Sequence, residues 1–214
     1  MSFGYPVSLE VEGRRAVVIG SVAVADRKAD VLISAMAEVT VVARGPERDL
    51  ERLARAGARV IQRDYQPGDL GGAFLCVASS EDEAIREAIF EESRIESVLM
   101  NMMDDPVHCD FAAPAIVRRG DLTIAISTGG ASPALARRLR EELEEQFGPE
   151  WVDIADLIAA VRRETLPLLP DLRDRARKWE RALDLRELER LVAEGRIDEA
   201  RQTLRARVLE GENV

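Results

Sequence analysis

Short aliphatic runs alternate with stretches of helical period through the first hundred residues, and that alternation restricts the fold more than any other feature of the chain. Ala16-Val17-Val18-Ile19 reads as a buried strand ending at Gly20, and Val39 to Ala43 as a second. Arg59-Val60-Ile61, Ala73 to Ala78 and Ser97 to Asn101 read as three more. Between them lie Ala25 to Met36, with Ala25, Ala29, Leu32 and Ile33 on one face, a helix with Leu50, Leu53 and Ala54 inward, and the acidic stretch Glu81 to Ser93. Strands spaced by helices in this way predict an α/β unit: a Rossmann-like parallel sheet covered by helices on both faces. Upstream, Val7 to Val11 alternates apolar and polar residues as a half-exposed strand does.

Beyond residue 110 the rhythm changes. Ala112 to Val117 and Leu122 to Ser127 flank Arg118-Arg119-Gly120-Asp121 and predict a hairpin-like pair. Ser132 followed by Pro133 predicts a capped helix start, and Ala136, Leu139, Leu143 and Phe147 give that helix a core-facing stripe. From Val152 onward the pattern is helical, broken at Leu166-Pro167, at Pro170 and at Gly195.

The chain has 214 residues, 40 acidic and 30 basic, with 46% hydrophobic residues. From Asp171 to Val214 there are 11 basic and 11 acidic residues, so the whole net charge of −10 lies in the first 170. A field of that sign argues against nucleic acid as a partner. No apolar run approaches the ~20 residues that span a bilayer, and Met1 to Glu10 lacks a basic-then-apolar leader, so no membrane partner is expected and the cytoplasm is the expected compartment. Cys76 and Cys109 are read as free thiols.

Three segments carry chemistry. The first strand-to-helix turn of a dinucleotide fold puts backbone N–H groups and a helix start against a pyrophosphate. Here that turn is Gly20-Ser21-Val22-Ala23-Val24-Ala25, with Val22 where the Gly-x-Gly pattern has its second glycine. A β-branched residue there is expected to intrude on the phosphate channel and to resist positive φ. The second strand ends in Arg44 rather than an acid; Arg44 suits stacking on adenine, meeting a phosphate, or plain solvation.

The second segment, Asn101-Met102-Met103-Asp104-Asp105-Pro106, follows a strand directly, where α/β sheets bind ligands. Adjacent carboxylates before proline can form a turn or supply a base. His108, the only histidine, has no second His or spaced Cys for a metal, so none is expected. The third, Ser127-Thr128-Gly129-Gly130-Ala131-Ser132-Pro133, can receive a ligand carboxylate or simply turn and cap. Arg118, Arg119, Arg137 and Arg138 lie close in sequence and could answer an acidic ligand.

Together these blocks resemble the precorrin-2 dehydrogenase / sirohydrochlorin ferrochelatase family, which also forms the N-terminal part of sirohaem synthases. The likeness runs from about Tyr5 to Phe147. It rests on Pro6-Val7-Ser8-Leu9, Val18-Ile19-Gly20 with Arg27-Lys28-Ala29, Ala37 to Ala43, the Asn101 to Pro106 run with Cys109-Asp110-Phe111, Pro114 to Val117, and above all Ile124 to Arg137. The resemblance implies NAD-dependent oxidation of precorrin-2 to sirohydrochlorin, with Fe²⁺ or Co²⁺ insertion in some members, by a homodimer. It implies a Rossmann-like NAD-binding domain over 1–112, a dimerisation region over 113–150 and a helical domain over 151–214. The family's functional aspartate falls on Asp104, expected to be partly desolvated at its strand end. Cofactor contacts are expected from Gly20, Ser21, Val22, Ala23, Val24, Arg44, Gly45 and Ser79. Substrate contacts are expected from Asn101, Asp105, His108, Ser127, Thr128, Gly129, Gly130 and Ser132.

The chain departs from the family's pattern in three places. Gly20-Ser21-Val22 stands for Gly-Gly-Gly, Met36 for glycine and His108 for an aliphatic residue. The first departure motivates two alternatives: a chelatase with weak or lost dehydrogenase activity, and a non-catalytic Rossmann dimer that binds a tetrapyrrole or nucleotide.

Overall fold

The computed structural model describes residues 4–210, which divide into two compact units between Ala113 and Pro114. In the first unit, strand β1 (Arg15–Ser21) leads into helix α1 (Val22–Ser34), β2 (Glu38–Arg44), α2 (Glu47–Arg55) and β3 (Arg59–Ile61). Then follow β4 (Leu75–Ala78), α3 (Glu83–Ile95) and β5 (Leu99–Met102). All five strands are parallel, in the order β3-β2-β1-β4-β5. The order reverses between β1 and β4, the switch point at which such sheets open a crevice.

The sheet is buried on both faces, as a parallel sheet must be. Along β1 the side chains alternate: Val17 and Ile19 join Cys76, Met100, Met102 and Ile89 of α3 in one core, while Val18 joins Val41, Ala25, Ala29, Leu50 and Leu53 in the other. Burying each such Val, Leu or Ile contributes about 1.5–3 kcal/mol. Ala54, read as inward, is exposed; Leu50 and Leu53 are the buried residues of α2, and Arg52 ties it to α1 through Asp26 and Asp30. Residues 7–11 form no strand. Val7 and Leu9 are exposed and only Val11 is buried, so the alternation there finds no ladder partner among the described residues.

The second unit opens with the antiparallel hairpin β6 (Ala115–Arg119) and β7 (Leu122–Ile126). Helices α4 (Pro133–Gln146), α5 (Trp151–Thr165), α6 (Leu172–Ala182), α7 (Leu185–Ala193) and α8 (Ile197–Leu209) complete it. Leu157, Val161, Trp179, Leu188, Leu191, Leu204 and Val208 make the core of the last four helices. Trp151, Ile154 and Val192 pack with Leu122 and Phe147 and tie hairpin to helices. The stripe of α4 is not core: the helix has no buried residue, Leu135 and Leu139 are exposed, and Ala136, Leu143 and Phe147 are only half-buried. Among the described residues, no helix is long and apolar enough to cross a membrane.

Candidate functional site

At the switch point the ends of β1 to β4 enclose a cleft of about 460 Å³. Gly20, Ser21, Arg44 and Ser79 line it, together with Arg63, Asp64, Tyr65 and Ser80 to Asp82. Gly20 is there because nothing larger fits. Its φ is 142°, and a Cβ on it would lie 2.8 Å from the Ser79 carbonyl oxygen. Ser79 N–H donates to the Ile19 carbonyl at 2.9 Å, holding the β1 and β4 ends together.

Val22 corrects the sequence reading. Strand β1 runs through Ser21 straight into α1, so Val22 is the first helical residue, with no positive φ. It does not line the cleft; a Cβ on Gly45 would collide with Val22 Cγ2, so the two residues pack on one another. The second glycine of the motif is dispensable where no turn separates strand from helix. Ala23 is exposed and also outside the cleft lining, and the Val24 side chain lies outside the described residues.

The start of α1 is open. Ser21 makes no side-chain cap bond, and the first turn carries no acid. Of the eight helices in the described residues, only α1 and α4 lack an acid in the first turn. In a chain with 40 acidic residues, these two helix starts are the ones whose dipoles still favour an external anion.

Beyond the end of β5, Asp104 sits in a turn at φ 60°, in the left-handed region that Asp tolerates better than most residues. Its side chain is exposed and makes no hydrogen bond or ion pair among the described residues. The expected partial desolvation is thus absent from the chain itself: the turn points the carboxylate outward rather than against the sheet. Its neighbour is fully engaged. Asp105 Oδ2 lies 2.7 Å from His108 Nδ1 and 3.8 Å from Arg86 Nε. The bond to His108 holds the Asp105 carboxyl below the usual carboxylate range. Glu87 lies 3.5 Å from the other ring nitrogen of His108, and Phe90 packs on the ring.

The same loop is stapled elsewhere. Asn101 Nδ2 donates to the Phe111 carbonyl at 2.8 Å, and the Cys109 thiol donates to the Met102 carbonyl at 3.0 Å. Asp110 accepts from Met100 N–H at 2.9 Å and pairs with Arg94. Asn101, Asp105 and His108 thus have their polar groups committed to the loop, and Asp104 is left free on it.

In the second unit, the turn before α4 braces itself. Ser132 Oγ accepts from Leu135 N–H at 3.1 Å, Thr128 Oγ1 accepts from Ser132 N–H at 3.1 Å, and Ser127 Oγ accepts from Gly129 N–H at 3.2 Å. Gly129 and Gly130 take φ of 61° and 87°, which explains the glycine pair. Arg119 is not available to a ligand, because its guanidinium caps the end of α4 through the Phe147, Gly148 and Glu144 carbonyls. Arg138 pairs with Glu142, while Arg118 and Arg137 have no partner among the described residues.

The structure therefore gathers Gly20, Ser21, Arg44 and Ser79 around one cleft, Asn101, Asp104, Asp105 and His108 on one loop, and Ser127 to Ser132 on one turn. Arg63, Asp64 and Tyr65 went unread. Their signal was the rule that strand ends carry sites, applied to a strand of only three residues.

Residues 7–115 match the protein family described as "Putative NAD(P)-binding". The chain belongs to this family. Residues 119–146 match the central region of sirohaem biosynthesis proteins. Siroheme synthase of Pseudomonas paraeruginosa is 35% identical over 207 residues, covering 96% of this chain and 44% of that protein. Siroheme synthase of Photorhabdus laumondii is 35% identical over 200 residues, covering 93% and 42%. The chain thus spans less than half the length of the curated relatives it matches. The fold is that of SirC, a precorrin-2 dehydrogenase: the TM-score is 0.66 at 24% identity, over 94% of this chain and 98% of that one. The resemblance read from the sequence stands.

Proposed function

We propose that this chain oxidises precorrin-2 to sirohydrochlorin with NAD, a step in sirohaem biosynthesis, as a cytoplasmic homodimer. The observation that carries the reading is the division of roles in the acid pair after β5. Asp105 is bound to His108, while Asp104 has no partner and is presented by a left-handed turn. The names of the relatives, siroheme synthase and precorrin-2 dehydrogenase, support the same substrate.

The cleft fits a dinucleotide. Gly20 leaves room for close backbone approach, and the uncapped, acid-free start of α1 offers N–H donors to a pyrophosphate. Gly20, Ser21, Arg44 and Ser79 would contact it; Val22 and Gly45 pack on one another behind the strand-to-helix junction. The chemistry that NAD supplies when bound is acceptance of a hydride.

Asp104 takes the proton that the ring loses, acting as general base. A bound macrocycle would cover this exposed carboxylate and exclude water from it. Asn101, Asp105 and His108 position it by holding its loop rigid. The Ser127 to Ser132 turn, Arg118 and Arg137 receive the substrate's carboxylates. Asp104 serves metal insertion as well, with Fe²⁺ or Co²⁺ as substrate, by removing pyrrole N–H protons. Residues 113–150 form the dimerisation region, a role supported by the uncovered leucines of α4, and residues 151–214 form a helical domain.

The test is anaerobic incubation with precorrin-2 and NAD⁺, followed by absorbance. Asp104→Ala should cut the rate by about 10²-fold or more while leaving NAD⁺ binding in calorimetry intact. Full activity of that variant would overturn the assignment.

A further inference from the structure

The adenosine end of the cleft contains a feature that family membership does not explain. Strand β2 ends in Arg44, where dinucleotide folds that bind a free ribose 2′-hydroxyl have an acid, and where an arginine ordinarily accommodates a 2′-phosphate. A second arginine, Arg63, lines the same wall. On residue type alone this end should select NADP.

The pairing says otherwise. Arg63 is locked: its two terminal nitrogens donate to the two carboxylate oxygens of the buried Asp69, each at 2.7 Å. Arg44 Nε lies 2.9 Å from Asp64 Oδ2. Val42 is paired with Ile61 across β2 and β3, and the chain turns just beyond, with Arg63 N–H donating to the Ile61 carbonyl, which brings Asp64 to the Arg44 guanidinium. Asp64 therefore lines the cleft beside the place the missing acid would occupy. A 2′-phosphate here would meet the carboxylate of Asp64, while Arg63 is already committed to Asp69 and Arg44 is paired with Asp64 itself. Across the cleft, Glu81 and Asp82 add further negative charge. A 2′-hydroxyl, by contrast, can donate to Asp64, a charge-assisted bond that a phosphate cannot make.

We infer that Asp64, oriented by Arg44, is the specificity determinant of the cleft, standing in for the absent acid of β2 and selecting NAD over NADP. This rests on the cleft being the dinucleotide site proposed above.

Titration calorimetry with NAD⁺ and NADP⁺ alone tests it. The chain should bind NAD⁺ more tightly by about tenfold or more, equivalent to ~1.4 kcal/mol. Asp64→Asn should bring the two affinities to within about threefold, mainly through a gain for NADP⁺ as Arg44 is released. The double variant D64N/R44A should lose that gain, and D64E should keep the preference for NAD⁺. Asp64 is largely exposed, so these variants should fold, which circular dichroism checks. An unchanged affinity ratio in D64N, or a preference for NADP⁺ in the unmodified chain, overturns the inference while leaving the cleft's role standing. Failure of the unmodified chain to bind either dinucleotide overturns both.

Discussion

Helices α1 and α4 both follow a serine and both lack an acid in the first turn, yet their starts are finished differently. Ser132 closes α4 with its own hydroxyl, and Thr128 braces that serine in turn. Ser21 does neither for α1, whose first N–H groups stay open beside Gly20. A start that caps itself is stable without a ligand and presents a preformed surface. One left uncapped gives up about 1 kcal/mol of capping and keeps its donors for whatever binds. The difference accords with the roles proposed above, a pyrophosphate on the backbone at α1 and substrate carboxylates on the hydroxyls at α4.

Substitutions can break or sharpen this contrast. The largest effect is expected from Gly20→Ala, which puts a Cβ 2.8 Å from the Ser79 carbonyl at a φ of 142°. The strained backbone and overpacking together should cost about 2–4 kcal/mol, read in urea unfolding, and dinucleotide binding should be lost in calorimetry. Wild-type behaviour on both counts would mean that β1 and β4 need not approach so closely.

The serines should then separate. Ser132→Ala should lower stability by about 1 kcal/mol, whereas Ser21→Ala, with no cap bond to lose, should stay within about 0.5 kcal/mol. Equal losses in thermal unfolding would erase the distinction. A modest gain, rather than a loss, is expected at the far end of α1. Met36 sits exposed at φ 59°, where the resembled family has glycine. Met36→Gly should stabilise the chain by about 0.5–1 kcal/mol by relieving the left-handed strain, seen as a higher urea midpoint with an unchanged slope.

Much of the sheet was legible because the strands of the first unit are short and aliphatic and, except between β3 and β4, are separated by helices. Arg59 to Ile61 was read to the residue. The same alternation misled at Val7 to Val11, because periodicity reports a face and says nothing of a neighbouring strand. Val22 was misjudged for a related reason: the glycine motif presumes a turn, and only coordinates reveal that β1 passes directly into α1. The stripe on α4 was visible as apolar, but what covers it was not. Asp104 could be located by its place after β5. That it, and not Asp105, is unpartnered depends on which carboxylate reaches His108, and three-residue spacing alone does not decide that. Asp64 was hidden by its distance in sequence from Arg44, a pairing made only when β3 aligns beside β2.

The backbone at Asp104 carries a consequence for how this position can vary. A residue held near φ 60° favours short side chains that bond locally, and among these only aspartate carries a carboxylate. Asparagine would keep the shape and forfeit the acid; glutamate would keep the acid and crowd the turn. Two independent demands, the conformation of the turn and the proton acceptance proposed above, would therefore meet in one side chain.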